Sequence, residues 1–402
     1  MTPMSSTAHI LVINGGSSSI KFALYEMGEA FELKCSGKFD RIGLDGTSFS
    51  YNDLFENQKT EIKTGDLNHR SAAHYLISWL KKRVDFSSIK GVGHRIVNGG
   101  AQYSKPQLVT REMLDELHNI SPYDPEHLPA EVELLKLFGE HFQNLPQVAC
   151  FDTAFHHDLP RVARLLPIPR SFEAKGIQRY GFHGLSYEFL MEELARLAGA
   201  ETAGERVILA HLGNGASLAA VRDGKSVDTS MGFTPAAGIP MSTRSGDLDP
   251  GLVWYLARTE QMTARQFHQM VNYQSGLLGI SETTSDMRDL LLREATDFRA
   301  AEAVNLFCYQ VKKWIGAFSA AIGGLNTLVF AGGIGENAPE VRHRICGGMQ
   351  FLGLELDEAR NATNGPVIST DVSRVTVRVI HTNEEIIVAR AVFLILGNLD
   401  RT

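Results

Sequence analysis

Five short segments of the chain combine glycines or small residues with charged or imidazole side chains. They are GHRIVNGG with Arg95, VACFDTAFH with Asp152, RYGFHGLS with His183, PMSTRSGD with Arg244 and HTNEE with Glu384. Arginine and histidine neutralise charge on phosphoryl oxygens, carboxylates hold Mg²⁺ together with phosphate oxygens, and glycine loops expose backbone N–H groups. Each segment alone would also fit a structural ion pair, a core histidine or a solvated acidic surface. Together they predict phosphoryl transfer.

Other motifs for nucleotide or metal chemistry are absent from the sequence. A P-loop requires GxxxxGK[ST], and the candidate at Gly224–Ser226 has Ala219 where the first glycine must stand. No GxGxxG opens a helix, and no HExxH occurs. These absences argue against a P-loop NTPase, a dinucleotide-dependent dehydrogenase and a zinc protease. Asp223-Gly224 predicts a hairpin turn instead.

Glycine clusters follow short apolar runs and predict strands that end in tight loops. They lie at 15–16, 99–100, 213–215 and 332–335. Residues 10–22 and 207–219 resemble each other, since each reads as a strand, a turn with Asn and Gly, and a second strand. The chain is therefore predicted to consist of two similar halves, with two unrelated hairpins as the alternative.

Helical patterns separate the predicted strands. Leucines at 190, 194 and 197 predict a helix over 187–197 with Ser186 as its N-cap. Apolar residues recur at spacings of three and four from 304 to 322, and Gly323-Gly324 should end that helix. Alternating strands and helices predict an α/β architecture with a parallel or mixed sheet, and the repeat spacing places a domain boundary near residue 150.

Composition excludes several classes of protein. The 402 residues carry 39 basic and 46 acidic side chains, a net charge of −7, which argues against an electrostatically driven nucleic-acid binder. No apolar run reaches membrane-spanning length, and the first residues lack the pattern of a secretory signal. The four cysteines are far apart, without CxxC, so neither a disulfide framework nor a zinc site is expected. A cytoplasmic protein without membrane partners is predicted.

The motifs resemble the acetate kinase family, within the acetate and sugar kinase, heat-shock protein 70 and actin superfamily. They are LVINGGSSSIKF, GHRIVNGG, FDTAFH, YGFHGLS, AHLGNGASL, MSTRSGDLDPG, SGLLGIS, AGGIGEN and TNEE. They run in family order from residue 10 to about 390 and cover nearly the whole chain. The resemblance implies a duplicated, two-lobed actin-like (ribonuclease H-like) fold with a nucleotide cleft. It implies lobes at 1–150, joined by 386–402, and at 151–385.

The resemblance also implies roles for the matched positions, and several residues take more than one. The catalytic residues are His183, Arg244, Arg95, Asp152 and Asn14. The substrate-binding residues are Arg95, Val97, Phe182, Pro235 and His127. The nucleotide-binding residues are Lys21, His211, Asn214, Gly215, Asp286, Arg288, Gly333, Gly335 and Asn337. The metal-binding residues are Asn14, Glu384 and Asp152.

The implied reaction is the reversible, in-line transfer of the γ-phosphoryl group of ATP to acetate, giving acetyl phosphate and ADP. Mg²⁺, or Mn²⁺ in its place, is the implied cofactor, and the implied assembly is a homodimer. A carboxylate is already a nucleophile at neutral pH, so no general base is required.

Two other functions are alternatives to this reaction. A non-catalytic nucleotide-binding relative would keep the glycine loops but would not need Arg95, His183 and Arg244, all of which are present. A sugar kinase would want an aspartate base and a polar pocket.

The chain departs from the family pattern at a few positions. The family's PLHN reads here as Pro125-Glu126-His127-Leu128, and its HGG reads as Asn98-Gly99-Gly100. Smaller departures stand at 14–16, where NCG reads NGG, and at 234–238, where TPLEG reads TPAAG. Glu126 would repel a carboxylate substrate unless it faces solvent or pairs with an arginine. These changes leave acetate and propionate open as substrates.

Overall fold

The computed structural model describes residues 8–16, 18–28, 31–54, 56 and 58–399. Ser17 of the first predicted hairpin, and 1–7 and 400–402 of the predicted first lobe, lie outside these residues. The chain divides into two compact units, Met1–Ala154 with Asn383–Thr402, and Phe155–Thr382. The lobe boundaries predicted from the sequence are at 150 and 385, and they remain a prediction.

Each unit is built on a β-sheet. The strands of the first unit are β1 His9–Gly15, β2 Ile20–Glu26, β3 Glu32–Asp40, β4 Ser48–Asp53, β5 Gln58–Lys63, β6 Ile89–Ile96, β7 Gln107–Leu108 and β8 Gln147–Phe151. Those of the second are β9 Val207–Leu212, β10 Ala216–Arg222, β11 Lys225–Thr229, β12 Thr327–Ala331 and β13 Thr376–Val379.

The two sheets share one topology. The first contains the run β3-β2-β1-β6-β8, flanked by β4 and β5 on one side and β7 on the other. The second is β11-β10-β9-β12-β13. In both, the first three strands pair antiparallel and the last three pair parallel. This repetition confirms the predicted duplication and the α/β, actin-like fold class.

The helices follow in chain order. They are α1 His69–Arg83, α2 Arg111–Asn119, α3 Leu128–His141, α4 Arg161–Arg164, α5 Arg170–Glu173, α6 Gly184–Ala198, α7 Ala200–Gly204, α8 Gly251–Thr259, α9 Ala264–Tyr273, α10 Gly276–Ser281, α11 Met287–Arg293, α12 Phe298–Ala321, α13 Gly332–Asn337, α14 Pro339–Cys346, α15 Glu358–Ala362 and α16 Glu384–Leu399. Short 3₁₀ turns lie at Phe86–Ser88, Ser121–Tyr123, Ala154–His156 and Gln350–Leu352. Within the described part of the chain, none of these helices has the length and apolar character needed to cross a membrane.

Two local predictions are confirmed. Helix α12 ends before Gly323 and Gly324, which take φ values of 76° and 130°. Asp223 and Gly224 form a two-residue turn between Arg222 and Lys225, with φ values of 54° and 70°. Both positive φ values fit the twist of a hairpin.

The predicted N-cap of α6 is wrong. The helix starts at Gly184, and His183 takes the cap position without a side-chain capping bond. Ser186 lies inside the first turn, where its Oγ is 2.8 Å from both His211 Nδ1 and Thr382 Oγ1. Its hydroxyl group is therefore engaged with neighbouring segments rather than with the helix N-terminus.

Central strands are covered on both faces, as parallel strands of α/β sheets are. Every residue of β12 is buried, and so are Ile10–Ile13 of β1. Strand β6 contains Gly91 and Gly93, on which α16 packs. A methyl group at Gly93 would collide with Val388 and Val392 of that helix. The two glycines let α16 approach the sheet closely, and this positions Glu384 at its first turn.

We expect Gly93→Ala to destabilise the first unit, because the added methyl group overpacks the contact between α16 and β6. The free energy of unfolding, measured with urea, should fall by about 1–3 kcal/mol. Gly316→Ala is the matched control, since a Cβ at Gly316 in α12 would meet nothing within 4 Å. It should raise stability by roughly 0.5–1 kcal/mol. Equal effects of the two variants would contradict this packing.

Candidate active site

In the first unit, the ends of three neighbouring parallel strands bring candidate residues together. Asn14 near the end of β1 is in register with Arg95 on β6, and Arg95 is in register with Cys150 on β8. Asp152 follows β8, and its N–H donates to the Ile96 carbonyl at 2.9 Å. The sequence-predicted residues Asn14, Arg95 and Asp152 therefore share one sheet edge.

Arg95 is held by two buried carboxylates. Its Nη2 donates to Asp152 Oδ2 at 2.5 Å, and its Nη1 lies 3.3 Å from Glu131 Oε1. The Arg95 side chain is 14% exposed, and both acids are 1% exposed. Burial by itself would lower the pKa of Arg95, but the charges of Asp152, Glu131 and Glu384 outweigh it and raise that pKa. The guanidinium group therefore keeps its charge.

Glu131 is a residue that sequence reasoning missed. It lies on α3, where its Oε2 accepts the N–H of Val97 at 2.9 Å while its other oxygen faces Arg95. Removal from water raises the pKa of Glu131 to about 8, although Arg95 and the Val97 N–H act in the opposite direction. A signal was available, because Glu131 stands on the apolar stripe of α3 with Leu128 and Leu135.

Glu384 is the first residue of α16 and is partly buried. Removal from water, and then the negative charge of Asp152, raise the pKa of Glu384 to about 7, and Arg95 and Lys21 oppose this. Lys21 is exposed on β2 and is in register with Asn14. Asp152, Arg95 and Lys21 thus lie within range of the charge of Glu384.

These acids carry oxygen atoms of the kind that bind Mg²⁺. Asp152 Oδ1 is buried and accepts no hydrogen bond from the described residues, so it is available to a cation. Mg²⁺ usually takes one or two carboxylates and completes its shell with water and phosphate oxygens. Among the described residues, no three His, Cys, Asp or Glu side chains form a metal cluster. Asp152, Glu384 and the amide of Asn14 are therefore the candidate residues for a metal ion in this unit.

The remaining substrate candidates of the first unit are Val97 and His127. Val97 is buried, directly after β6. His127 precedes α3, and its Nδ1 lies 2.9 Å from Asp124 Oδ1. Glu126, the departure of greatest concern in the sequence, is partly exposed. Asn98 is fully buried, and its Oδ1 accepts the N–H of Gly100 at 2.8 Å.

In the second unit, the hairpin loop between β9 and β10 carries the next candidates. The Gly213 N–H donates to the Gly215 carbonyl at 3.0 Å, which makes a tight turn around Asn214. Asn214 Oδ1 accepts a hydrogen bond from Ser242 Oγ at 3.3 Å. The ring of His211 stacks on that of His183 with centroids 4.4 Å apart.

His183 and Arg244 converge on Gly215. A Cβ built at Gly215 would lie 3.2 Å from His183 Nε2 and 3.6 Å from Arg244 Nη1. Glycine therefore leaves room beside a ring nitrogen, a guanidinium group and a loop backbone. Donors of these three kinds, arranged around one open point, suit an anion.

The backbone of His183 is in an uncommon conformation. Its φ is 58°, which a non-glycine residue adopts at a cost and which is concentrated at functional sites. The conformation places His183 at the N-terminus of α6, where the helix dipole favours negative charge. Backbone and side chain therefore both favour an anionic ligand at this residue.

The loop 241–245 is fixed by its own backbone. The Met241 N–H donates to the Arg244 carbonyl at 2.9 Å, and Arg244 Nη1 donates to the Pro235 carbonyl at 3.3 Å. Pro235 and Arg244 are thus in contact, and their roles at one substrate remain a prediction. Phe182 is buried, and its carbonyl accepts from His156 Nε2 at 3.1 Å.

The glycine segment 332–337 forms the short helix α13 after β12. Glu336, a second residue that sequence reasoning missed, accepts the N–H of Gly332 at 2.9 Å and that of Thr382 at 3.1 Å. Asn337 Nδ2 donates to the Gly333 carbonyl at 3.0 Å, and a Cβ at Gly213 would lie 3.8 Å from Gly333 N. The two predicted glycine loops are therefore neighbours.

The Gly335 carbonyl accepts from Arg342, which is fully buried. Asp286 and Arg288, predicted for the adenosine end, pair with each other, with Arg288 Nη2 2.6 Å from Asp286 Oδ2. The side-chain hydrogen bond from Arg288 lowers the pKa of Asp286. Among the described residues, neither side chain of this pair forms a hydrogen bond or an ion pair with another candidate residue.

Each unit thus presents a group of residues able to bind phosphate or carboxylate. The first offers a charged arginine beside carboxylates that suit a cation. The second offers a glycine loop with two imidazoles and a guanidinium group. Phosphoryl transfer depends on positioning and on neutralising charge on oxygens, and these residue types supply both.

Comparison with known proteins identifies the family. A model described as the Acetokinase family matches residues 9–390. The propionate kinase of Citrobacter rodentium is 41% identical over 391 residues, covering 96% of each chain. The acetate kinase of Methylocella silvestris is 40% identical over 405 residues, covering 97% of this chain and 98% of that protein.

A solved structure agrees with these matches. The crystal structure of Porphyromonas gingivalis acetate kinase aligns with a TM-score of 0.88 at 34% identity, covering 97% of this chain and 100% of that one. The match over residues 9–390 includes both sheets and every candidate residue. The chain therefore belongs to the acetokinase family.

Proposed function

We propose that this protein is an acetate kinase, which transfers the γ-phosphoryl group of ATP to acetate and produces acetyl phosphate and ADP. The observation that carries the proposal is the convergence of His183 and Arg244 on the glycine loop at Gly215. Membership of the acetokinase family supports the same reaction class. The reaction should run readily in both directions, because an acyl phosphate is an energy-rich product.

The transfer proceeds directly and in line. The ionised carboxylate of the substrate attacks the γ-phosphorus without prior deprotonation. His183 and Arg244 donate to phosphoryl oxygens, on which negative charge is concentrated in the transition state. Arg95, kept charged by its neighbouring acids, binds the carboxylate and the phosphoryl group. Because the substrate carboxylate attacks the γ-phosphorus itself, the reaction needs no covalent enzyme intermediate.

Asp152, Glu384 and Asn14 would hold Mg²⁺ in this proposal. The bound ion neutralises charge on the phosphate oxygens. The free Oδ1 of Asp152 supports this assignment. ATP itself would be held by Lys21, by the loop with His211, Asn214 and Gly215, by Gly333, Gly335 and Asn337, and by Asp286 and Arg288.

Substrate binding is assigned to the apolar side chains of Val97, Phe182 and Pro235, together with Arg95 and His127. Two of them, Val97 and Phe182, are buried, which suits a short aliphatic acid. Propionate is the second candidate, because a propionate kinase is 41% identical to this chain. One methylene group changes transfer free energy by only about 0.8 kcal/mol, so the two acids differ little in binding.

A homodimer and a cytoplasmic location belong to the same proposal. Helix α8 supports a dimer, since Trp254 and Tyr255 on it are 69% and 60% exposed. Adjacent large aromatic residues of this exposure are typical of a surface that another protein chain covers.

The first experiment measures ADP formation from Mg·ATP with formate, acetate, propionate, butyrate or no acid, compared as kcat/KM. We expect acetate or propionate to rank first and the acid-free rate to be near zero. The ranking decides between the two substrates. ATP turnover that is indifferent to every acid would contradict a carboxylate kinase.

Arg244→Ala should lower kcat by roughly 10³-fold, because it removes a cation that stabilises the phosphoryl transition state. The matched control is Arg222→Ala, which removes an exposed arginine from β10 of the same unit. The control should retain wild-type kcat. A loss below tenfold in a folded Arg244→Ala protein would refute the assigned role.

Glu384→Ala should raise the Mg²⁺ concentration needed for half-maximal activity more than it raises the KM for the carboxylate. The reason is that Glu384 is assigned to the cation and not to the acid. Glu385→Ala is the control for general loss of negative charge at the start of α16. The reverse pattern, with only the carboxylate KM changed, would rule out the metal role.

A further inference from the structure

Two buried hydroxyl groups connect to His183. Its Nδ1 lies 2.8 Å from Ser217 Oγ, and Ser217 Oγ lies 2.5 Å from Tyr187 Oη. Ser217 on β10 and Tyr187 on α6 are both fully buried. The three side chains therefore form a hydrogen-bonded chain that leads from the interior of the second unit to the imidazole ring.

The two ring nitrogens of His183 face different surroundings. Nδ1 faces the hydroxyl chain, whereas Nε2 is the atom nearest to a Cβ built at Gly215. Only Nε2 is therefore positioned toward the loop that the proposed function assigns to phosphate. Whether Nε2 can donate there depends on which nitrogen carries the proton.

Titratable and charged groups surround His183. His211 on β9 stacks on the ring, Arg244 approaches the same Gly215 position, and Tyr187 on α6 is connected to the ring through Ser217. The N-terminus of α6 adds the positive end of a helix dipole. A neutral imidazole has a single proton, so its tautomer decides whether Nε2 is a donor or an acceptor.

We propose that Tyr187 and Ser217 are positioning residues that hold His183 in the tautomer with its proton on Nε2. In this arrangement the Tyr187 hydroxyl donates to Ser217 Oγ, the Ser217 hydroxyl donates to His183 Nδ1, and the Nε2–H donates to the ligand. A phenol is a stronger donor than an aliphatic hydroxyl, and an imidazole nitrogen is a stronger acceptor than a hydroxyl oxygen. The inference rests on the proposed function only for the identity of that ligand, a phosphoryl oxygen.

The tautomer can be measured without an activity assay. In protein labelled with ¹⁵N-histidine, the ¹⁵N chemical shifts distinguish a protonated ring nitrogen from an unprotonated one, and His183→Gln identifies the signals. We expect a protonated Nε2 and an unprotonated Nδ1 in the wild type, and a larger share of the Nδ1-protonated form in Ser217→Ala. A wild-type ring protonated on Nδ1 alone would overturn the proposal.

Kinetics provide the second test. Ser217→Ala and Tyr187→Phe should each lower kcat by roughly 10-fold to 100-fold, the usual effect of removing a partner that orients a functional histidine. Their kcat should also fall as pH rises, because the imidazolium always carries a proton on Nε2, whereas the unsupported neutral ring carries it there only in a fraction of the molecules. Ser217→Thr keeps the hydroxyl and should restore both the rate and the profile.

A matched control is available in the same unit. Ser226 is buried, and its Oγ lies 2.8 Å from Nδ1 of His156, whose Nε2 contacts the Phe182 carbonyl. Ser226→Ala therefore makes the same chemical change at a histidine whose ring nitrogens contact Ser226 and the Phe182 carbonyl, and its pH profile should match the wild type. An unchanged pH profile in Ser217→Ala would overturn the inference. Wild-type protein without acid-dependent ATP turnover would instead refute the proposed function, and the ¹⁵N chemical shifts would then decide on the inference alone.

Discussion

A buried arginine between two carboxylates determines the arrangement of the first unit. Withdrawing a guanidinium group from water is costly, and the cost is offset only when hydrogen-bonded acids surround it. Asp152 and Glu131 do this for Arg95, one from the end of β8 and one from α3. The third acid, Glu384, reaches the same group because glycines in β6 admit α16 against the sheet. Strand register, helix packing and charge are therefore coupled at one side chain.

The sheet of the second unit has the same topology. Its candidate residues, however, are not a buried arginine held between carboxylates. Its loop contributes backbone groups and a glycine without a side chain, and α6 contributes the positive end of its dipole. Imidazole rings take the place of the buried acids, with His183 stacked on His211. One duplicated fold thus carries two different candidate anion sites, each built at the ends of its central strands.

The features that could be predicted from the sequence are those that the local backbone conformation determines. The hairpin turn at Asp223-Gly224 and the end of α12 at Gly323 follow from backbone conformations that few other residues adopt. The pairing of Arg95 with Glu131 was missed, because the two residues are 36 positions apart and only tertiary packing aligns them. Ser186 was misassigned for a related reason, since a distant histidine competes for its hydroxyl group.

Glu131 also connects charge to substrate choice. One of its oxygens faces Arg95 and the other accepts the backbone N–H of Val97, so α3 holds the arginine and the pocket wall together. A shift of α3 would move both at once, and a change in the acid that fits would accompany a change in how its carboxylate is bound. Under the proposed function, substrate size and phosphoryl transfer are therefore not independent in this unit, because one buried carboxyl group contacts both Arg95 and the backbone of Val97.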